Sequence, residues 1–354
     1  MANKDKKPTL KKFLVMDTKD IASLVNDEAG SQVCVFVVNG TRRWFTLTQD
    51  KDISTNNYED YKNTLRNEYI RLYKLCFDHG INTILTPVVR EALQNRDEIY
   101  KKAVIQVKDF VENEDFKRFY EENNVSVHFY GDYLYNKKDE KGDDDDDEYL
   151  KTITLFQNFT EKQTLLKDNP KIKRLFYGLF ASDATETVAS LSIDYYKKKE
   201  EETGIGAYPT RAELVKLYYG DEIDKVTLYV NFGEFKVFDY PLLNMGDEDL
   251  YFTAAPTPYL DKIQLRKILY DHIYMRERED HKDRKDINYS EMSPTNYDFM
   301  KQFYDDNVGQ ILGIGLSRGK VWFPEIHLSY PKANRTIDPG KSWREKNGRK
   351  KDGS

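Results

Sequence analysis

The run Asn39-Gly40-Thr41-Arg42-Arg43-Trp44 places two guanidinium groups directly after a side-chain amide and a glycine. Residues 33–38 before it (VCVFVV) are continuously apolar and largely β-branched, the pattern of a strand buried on both faces. A buried strand therefore delivers two cations to a loop. In open α/β sheets ligands bind beyond the carboxyl ends of the strands, and a glycine there lets main-chain N–H groups approach an anion. Arg42 and Arg43 would grip a phosphate through bidentate hydrogen bonds, with Trp44 walling the site. The plain alternative is a surface turn after a core strand with incidental arginines, because strand–turn–basic is a weak motif. A second apolar run, 226–230, also ends in a glycine loop, Asn231-Phe232-Gly233-Glu234.

The elements that must position these loops follow from periodicity. Residues 1–30 read as a polar lead-in with one short helix over 18–25. After the opening strand, residues 46–57 form a linker rich in Asp, Thr and Asn. Tyr61, Leu65, Tyr69, Leu72, Tyr73 and Cys76 then recur at three- and four-residue spacing, and His79-Gly80 closes that helix. A strand follows over 81–89, a helix over 96–123 and a third strand over 125–130. Strands are predicted over 152–159 and 175–181, a helix over 183–199, and a short helix over 210–218 whose Thr210-Arg-Ala-Glu213 resembles a capping box. Residues 259–279 read as one long helix, 297–306 as another, and 311–316 with 320–323 as an apolar pair. Strand, helix and strand alternate throughout, so the fold class is α/β: a central, mostly parallel sheet flanked by helices, with a C-terminal extension. The domain boundaries expected are 31–279 for the α/β domain and 280–333 for the extension.

Composition bounds the rest. The 354 residues exceed what a single small core needs, and 26 Tyr with 19 Phe supply apolar volume despite 33% charged residues. A net charge of −6 argues against nucleic acid as the main partner. Cys34 and Cys76 fall in core segments, which excludes a disulfide framework and a cysteine zinc site, and fits a cytoplasmic, reducing compartment. No apolar run of membrane-spanning length occurs. Residues 136–148 (NKKDEKGDDDDDE) read as a disordered acidic insertion rather than a cation site, since a flexible run lacks fixed ligand geometry. The basic tail over 334–354 reads as disordered and, at most, as a surface for peripheral membrane contact. The five histidines are scattered without metal-ligand spacing.

In order and spacing the chain resembles the cis-prenyltransferase family of the undecaprenyl diphosphate synthase type over about residues 31–275. That family's opening strand ends in Asp-Gly-Asn-x-Arg-Trp, here Asn39 to Trp44. Its later pieces match Phe77 to Leu85, then His128-Phe129-Tyr130-Gly131-Asp132. Its Arg-x-Gly-Gly-Glu-x-Arg-x-Ser segment matches Val230 to Phe238, and its Glu-Leu-Tyr-Phe matches Asp249-Leu250-Tyr251-Phe252.

The resemblance implies an allylic diphosphate site made of Gly40, Thr41, Arg42, Arg43 and Arg96, with Asn39 and Arg43 as catalytic positions. It implies Mg²⁺ as cofactor, shared by Asn39 and Glu234, with Asp132 or Asp183 as stand-ins. Trp44 would line a hydrophobic pocket, and residues 249–252 would form a homodimer or heterodimer interface. The departures carry as much meaning. Asn39 replaces the family's metal-binding Asp, and a neutral amide is a poorer ligand for a hard dication. Arg90-Glu91-Ala92-Leu93-Gln94 stands where the family has Ser-x-Glu-Asn-Trp. The two arginines and the serine of the isopentenyl diphosphate site become Val230, Lys236 and Phe238. The expected function is action on a single allylic prenyl diphosphate, by ionisation followed by cyclisation or other terpene synthase-type chemistry, in an aromatic-lined tunnel. The alternative is a catalytically silent subunit of the same fold. A third reading, an unrelated doubly wound nucleotide binder, lacks a Gly-x-Gly-x-x-Gly or P-loop to support it.

Overall fold

A computed structural model describes residues 7–49, 57–89, 97–131, 144–164, 173–179, 184–238, 240–244, 246–276, 294–308, 311–318 and 321–324. In chain order the elements are α1 (Leu10–Val15), α2 (Thr18–Ala29), β1 (Gln32–Phe36), α3 (Thr41–Gln49), α4 (Tyr58–Asp78), β2 (Ile81–Val89), α5 (Asp97–Val107), α6 (Asp109–Glu112), α7 (Glu114–Asn123) and β3 (Val125–Tyr130). They continue with α8 (Asp144–Thr164), β4 (Lys173–Leu179), α9 (Ala184–Thr203), α10 (Arg211–Tyr219), β5 (Leu228–Phe232), β6 (Asp249–Thr253), a 3₁₀ turn (Thr257–Tyr259), α11 (Lys262–Tyr270) and a π-helical stretch (Asp271–Met275). Last come α12 (Pro294–Asn307), β7 (Gly315–Arg318) and β8 (Val321–Pro324).

The chain divides into two compact units. The first comprises residues 1–232 and 236–275, and the second comprises 233–235 with 276–354. In the first, six strands form one sheet in the order β3-β4-β2-β1-β5-β6, and every pairing is parallel. β1 is central, with Val35 opposite Leu85 on one side and Tyr229 on the other. Its alternate residues enter two cores: Cys34 and Phe36 join one, Val33, Val35 and Val37 the other. That double burial is why the run is apolar at every position rather than at every second one. The first core is closed by α1, α2, α4 to α8 and α11, and the second by α9 and α10. The second unit holds α12 and the antiparallel β7–β8 hairpin, where Phe235 meets Trp322 edge-to-face with centroids 5.2 Å apart.

Several elements differ from the sequence expectation. Residues 46–49 belong to α3, so Arg42 and Arg43 lie on a helix rather than in a loop. Residues 152–159, expected as a strand, lie within α8, where Tyr149, Thr152, Ile153 and Phe156 are buried at helical spacing. The expected helix over 96–123 is three helices, broken at Lys108 and again where the Asn113 side chain accepts the Asp115 N–H and caps α7. The long helix expected over 259–279 is the 3₁₀ turn, α11 and the π-helical stretch. The polar lead-in contributes two helices and buries Phe13, Ile21 and Val25. Residues 144–148 of the acidic stretch start α8, while 136–143 and the tail over 334–354 lie outside the described residues. No helix among the described residues is long and apolar enough to cross a membrane.

Candidate active site

From β1 the chain runs to β2 on one side, whereas β5 and β6 lie on the other. The sheet therefore reverses its winding between β1 and β5, and the crevice beyond their carboxyl ends is where an open α/β sheet receives ligands. Asn39 and Phe232 meet at that point. Asn39 Nδ2 donates to the Phe232 carbonyl at 2.8 Å, and Asn39 Oδ1 accepts the Gly40 N–H at 2.8 Å. The main chain of Asn39 is held as well: its N–H donates to Thr257 Oγ1 at 2.7 Å, and its carbonyl accepts the Thr257 N–H at 3.0 Å. One asparagine thus joins the ends of β1 and β5 to the 3₁₀ turn.

Gly40 has φ of +75°, and a Cβ there would lie 2.9 Å from Pro256 Cβ. Only glycine takes that conformation in that space without strain. The Trp44 N–H donates to the Gly40 carbonyl at 2.9 Å, the first hydrogen bond of α3. Thr41, Arg42 and Arg43 consequently form the first helical turn, whose N–H groups point toward the crevice end of the helix. Arg42 is exposed; Thr41, Arg43 and Trp44 are half-buried. Like α1 and α11, α3 carries no acidic residue in its first turn, and it has two arginines there. Such cations oppose the dipole and reinforce its positive potential, an arrangement that suits an anion. Thr41 Oγ1 pairs with the Tyr61 hydroxyl at 3.0 Å, and Phe45 meets the Tyr61 ring edge-to-face at 5.4 Å, so α3 is docked on α4.

Along α4 the aromatics continue inward. Tyr69 packs edge-to-face on Phe110, Tyr73 packs on Tyr177, and Phe110 stacks on Tyr177 with centroids 4.2 Å apart. Burial pushes the phenols of Tyr73, Tyr120 and Tyr177 above their ordinary range, so all three stay neutral.

Residues 39–44 lie together at the end of β1 and the start of α3, and the sequence reading did not include their neighbours Phe232, Pro256, Thr257 and Tyr61. Glu234 is half-buried and belongs to the second unit. Arg96, Asp132 and Asp183 lie outside the described residues. Val230 is fully buried within β5 and belongs to the first core; Phe238 packs against the second core. Asp249 is buried at the start of β6, whereas Leu250 is exposed on it. The residues present do not fit a magnesium ion held by Asn39: the amide carries no charge and its oxygen already accepts the Gly40 N–H. Among the described residues no three His, Cys, Asp or Glu cluster as a metal site.

No family model matches the sequence. Tuberculosinyl adenosine transferase of Mycobacterium tuberculosis is 34% identical over 316 residues, 89% of this chain and 98% of its own length. The chain is a divergent member of the cis-prenyltransferase-like family. A second relative within it, (+)-kolavelool synthase of Herpetosiphon aurantiacus, is 28% identical over 120 residues, 33% of this chain and 38% of its own length. A solved structure, a probable undecaprenyl diphosphate synthase from Campylobacter jejuni, is 17% identical, covers 70% of this chain and 97% of its own, and has a TM-score of 0.43. For a cis-prenyltransferase-like chain, the crevice between β1 and β5 is the candidate active site.

Proposed function

We propose that the protein is an enzyme that binds a single allylic prenyl diphosphate and moves or rearranges its prenyl group, without adding isopentenyl units. What supports this reading is that Arg42 and Arg43 stand in the first turn of α3, which starts at Gly40 just past the end of β1, the strand beside the winding reversal of the sheet. There the α3 amides and the guanidinium groups would hold the diphosphate and stabilise it as it leaves. The prenyl tail would lie beside half-buried Trp44, whose ring would stabilise a developing carbocation through its negative face. Mg²⁺ enters this reading only as the counter-ion that a diphosphate carries in solution. The two relatives, a tuberculosinyl adenosine transferase and a (+)-kolavelool synthase, support the same substrate class. With Val230 in the core and Phe238 packed, chain elongation is not part of the proposal.

The test is incubation with geranyl, farnesyl and geranylgeranyl diphosphates, each with and without isopentenyl diphosphate, a nucleoside acceptor and Mg²⁺, reading diphosphate release and product mass. Release from one allylic diphosphate without isopentenyl diphosphate, lost in Arg43→Ala, is expected. Longer diphosphates formed only with isopentenyl diphosphate would overturn it. A lack of turnover with every substrate would favour the silent subunit, for which exposed Leu250 on β6 offers an edge to a second copy or a partner.

A further inference from the structure

We propose that Asn39 is a positioning residue whose amide hydrogens are required, and that it stands where it does as a lock between β1 and β5 rather than as a weakened metal ligand. The proposal deepens the functional reading above and rests on it for the identity of the ligand.

The geometry uses both ends of the amide, and uses them in only one sense. Phe232 offers a carbonyl, which can only accept, so the atom facing it at 2.8 Å must donate. Gly40 offers an N–H, so the atom facing it at 2.8 Å must accept. The two neighbours fix the amide orientation independently and agree with each other. A carboxylate has no hydrogen to give. An ionised Asp at this position would set an anionic oxygen against the Phe232 carbonyl, or rotate away and release both strands. A protonated Asp would reproduce both bonds, with its O–H on the Phe232 carbonyl and its other oxygen on the Gly40 N–H.

The consequence for the site follows from what Asn39 holds. Its side chain fixes the Gly40 N–H, and its main chain fixes Thr257, the neighbour of the Pro256 that packs on Gly40. Gly40 in turn accepts the first hydrogen bond of α3. Loosening the amide therefore loosens the start of the helix that carries Arg42 and Arg43, while both arginines remain present. The diphosphate would bind to main-chain amides and guanidinium groups whose placement depends on Asn39, with no carboxylate among its ligands at this position.

Asn39→Asp, Asn39→Ala and the unaltered chain separate the alternatives. The urea midpoint is measured between about pH 7.5 and about pH 4.5, a range that brackets carboxyl protonation in a partly buried setting. The expected result is a lower midpoint for Asn39→Asp at neutral pH that converges on the unaltered chain as pH falls, with Asn39→Ala low throughout. Inorganic pyrophosphate binding, measured by calorimetry with Mg²⁺ and with a chelator, should weaken about tenfold in Asn39→Asp at neutral pH, the loss of one oriented interaction. An Asn39→Asp chain as stable as the unaltered one at neutral pH, or a gap that does not close on acidification, would overturn the proposal. So would tighter Mg²⁺-dependent pyrophosphate binding by Asn39→Asp, which would mark the position as a metal ligand. Failure of the unaltered chain to bind pyrophosphate would instead count against the functional reading, and the convergence of midpoints would still decide the role of Asn39.

Discussion

Arg266 donates its Nε–H to Nε2 of His79 across 3.1 Å, with both side chains buried. The other ring nitrogen, Nδ1, faces the Leu75 carbonyl at 2.8 Å. His79 accepts at one nitrogen and donates at the other, so the neutral imidazole is the form that fits. Burial lowers its pKa from the usual 6.5, with the Leu75 carbonyl opposing and the Arg266 charge reinforcing the shift.

A pH dependence follows, with its sign fixed. Because the folded value lies below the unfolded one, the unfolded chain takes up a proton first as pH falls. Stability from this site is complete above about pH 6.5 and declines as pH falls toward the folded value, by up to about 1.4 kcal/mol per pH unit. Urea midpoints of the unaltered chain should fall more steeply between about pH 7 and about pH 5 than those of His79→Gln, which keeps an acceptor but does not titrate. Parallel declines in both chains would exclude His79 as the source.

Arg266 itself ties α11 to the turn between α1 and α2. Its Nη1 donates to the carbonyls of Leu14 and Met16, each at 2.8 Å, and its Nη2 to Thr18 Oγ1 at 3.0 Å. Arg266→Met keeps most of the apolar stem but takes the buried donor away from those part-buried acceptors. The expected cost is about 3 kcal/mol in denaturant unfolding. Arg266→Lys should recover little, because a point charge cannot reach three directions as a planar fork does.

Gly40→Ala tests the start of α3 against a matched control. Gly204 has the same φ of +75° but no atom within 4 Å of a built Cβ, whereas Gly40 has Pro256 Cβ at 2.9 Å. Gly204→Ala should cost only the left-handed backbone term, about 1 kcal/mol, and leave prenyl diphosphate binding unchanged. Gly40→Ala should lower the melting temperature further and weaken diphosphate binding, read by calorimetry. Equal effects of the two substitutions on both readouts would show that Pro256 yields freely.

What the sequence disclosed and what it hid have physical causes. Strands β2 and β3 were legible to the residue because each is an apolar run between glycine or asparagine boundaries. The capping box of Thr210 and Glu213 was legible because two side chains three residues apart satisfy each other's backbone. α3 was hidden: Thr41, Thr46 and Thr48 are poor helix formers, and the helix is fixed by Gly40 and by docking on Tyr61. α8 was misread because β-branched residues dominate 152–154, although Tyr149, Ile153 and Phe156 already carried the helical period. The lock at Asn39 was beyond sequence reading, since its partners Phe232 and Thr257 lie 193 and 218 residues away.

The two thiols should be inert in the folded chain. Cys34 and Cys76 are free and fully buried, and burial raises both, Cys76 to about 12, so neither forms thiolate at neutral pH. A thiol-reactive dye should label neither within minutes under native conditions and both in denaturant. Rapid native labelling of Cys76 would mean that α4 opens from β1 and β2 locally.

An arginine at Val230, the residue type the resemblance would place there, should not be tolerated, and the reason is structural rather than chemical. Val230 is fully buried in β5, pairs with Tyr251 on β6, and its carbonyl accepts the Val37 N–H at 3.0 Å. Its side chain belongs to the first core, beside Phe36 and Phe232. Val230→Arg would place a guanidinium among apolar side chains, which costs several kcal/mol without a partner. The variant should aggregate or unfold at a markedly lower urea midpoint, and the soluble fraction should form no longer diphosphate from an allylic diphosphate and isopentenyl diphosphate. A stable Val230→Arg chain that elongates would show that β5 can turn this position toward the crevice, and would overturn the single-substrate reading.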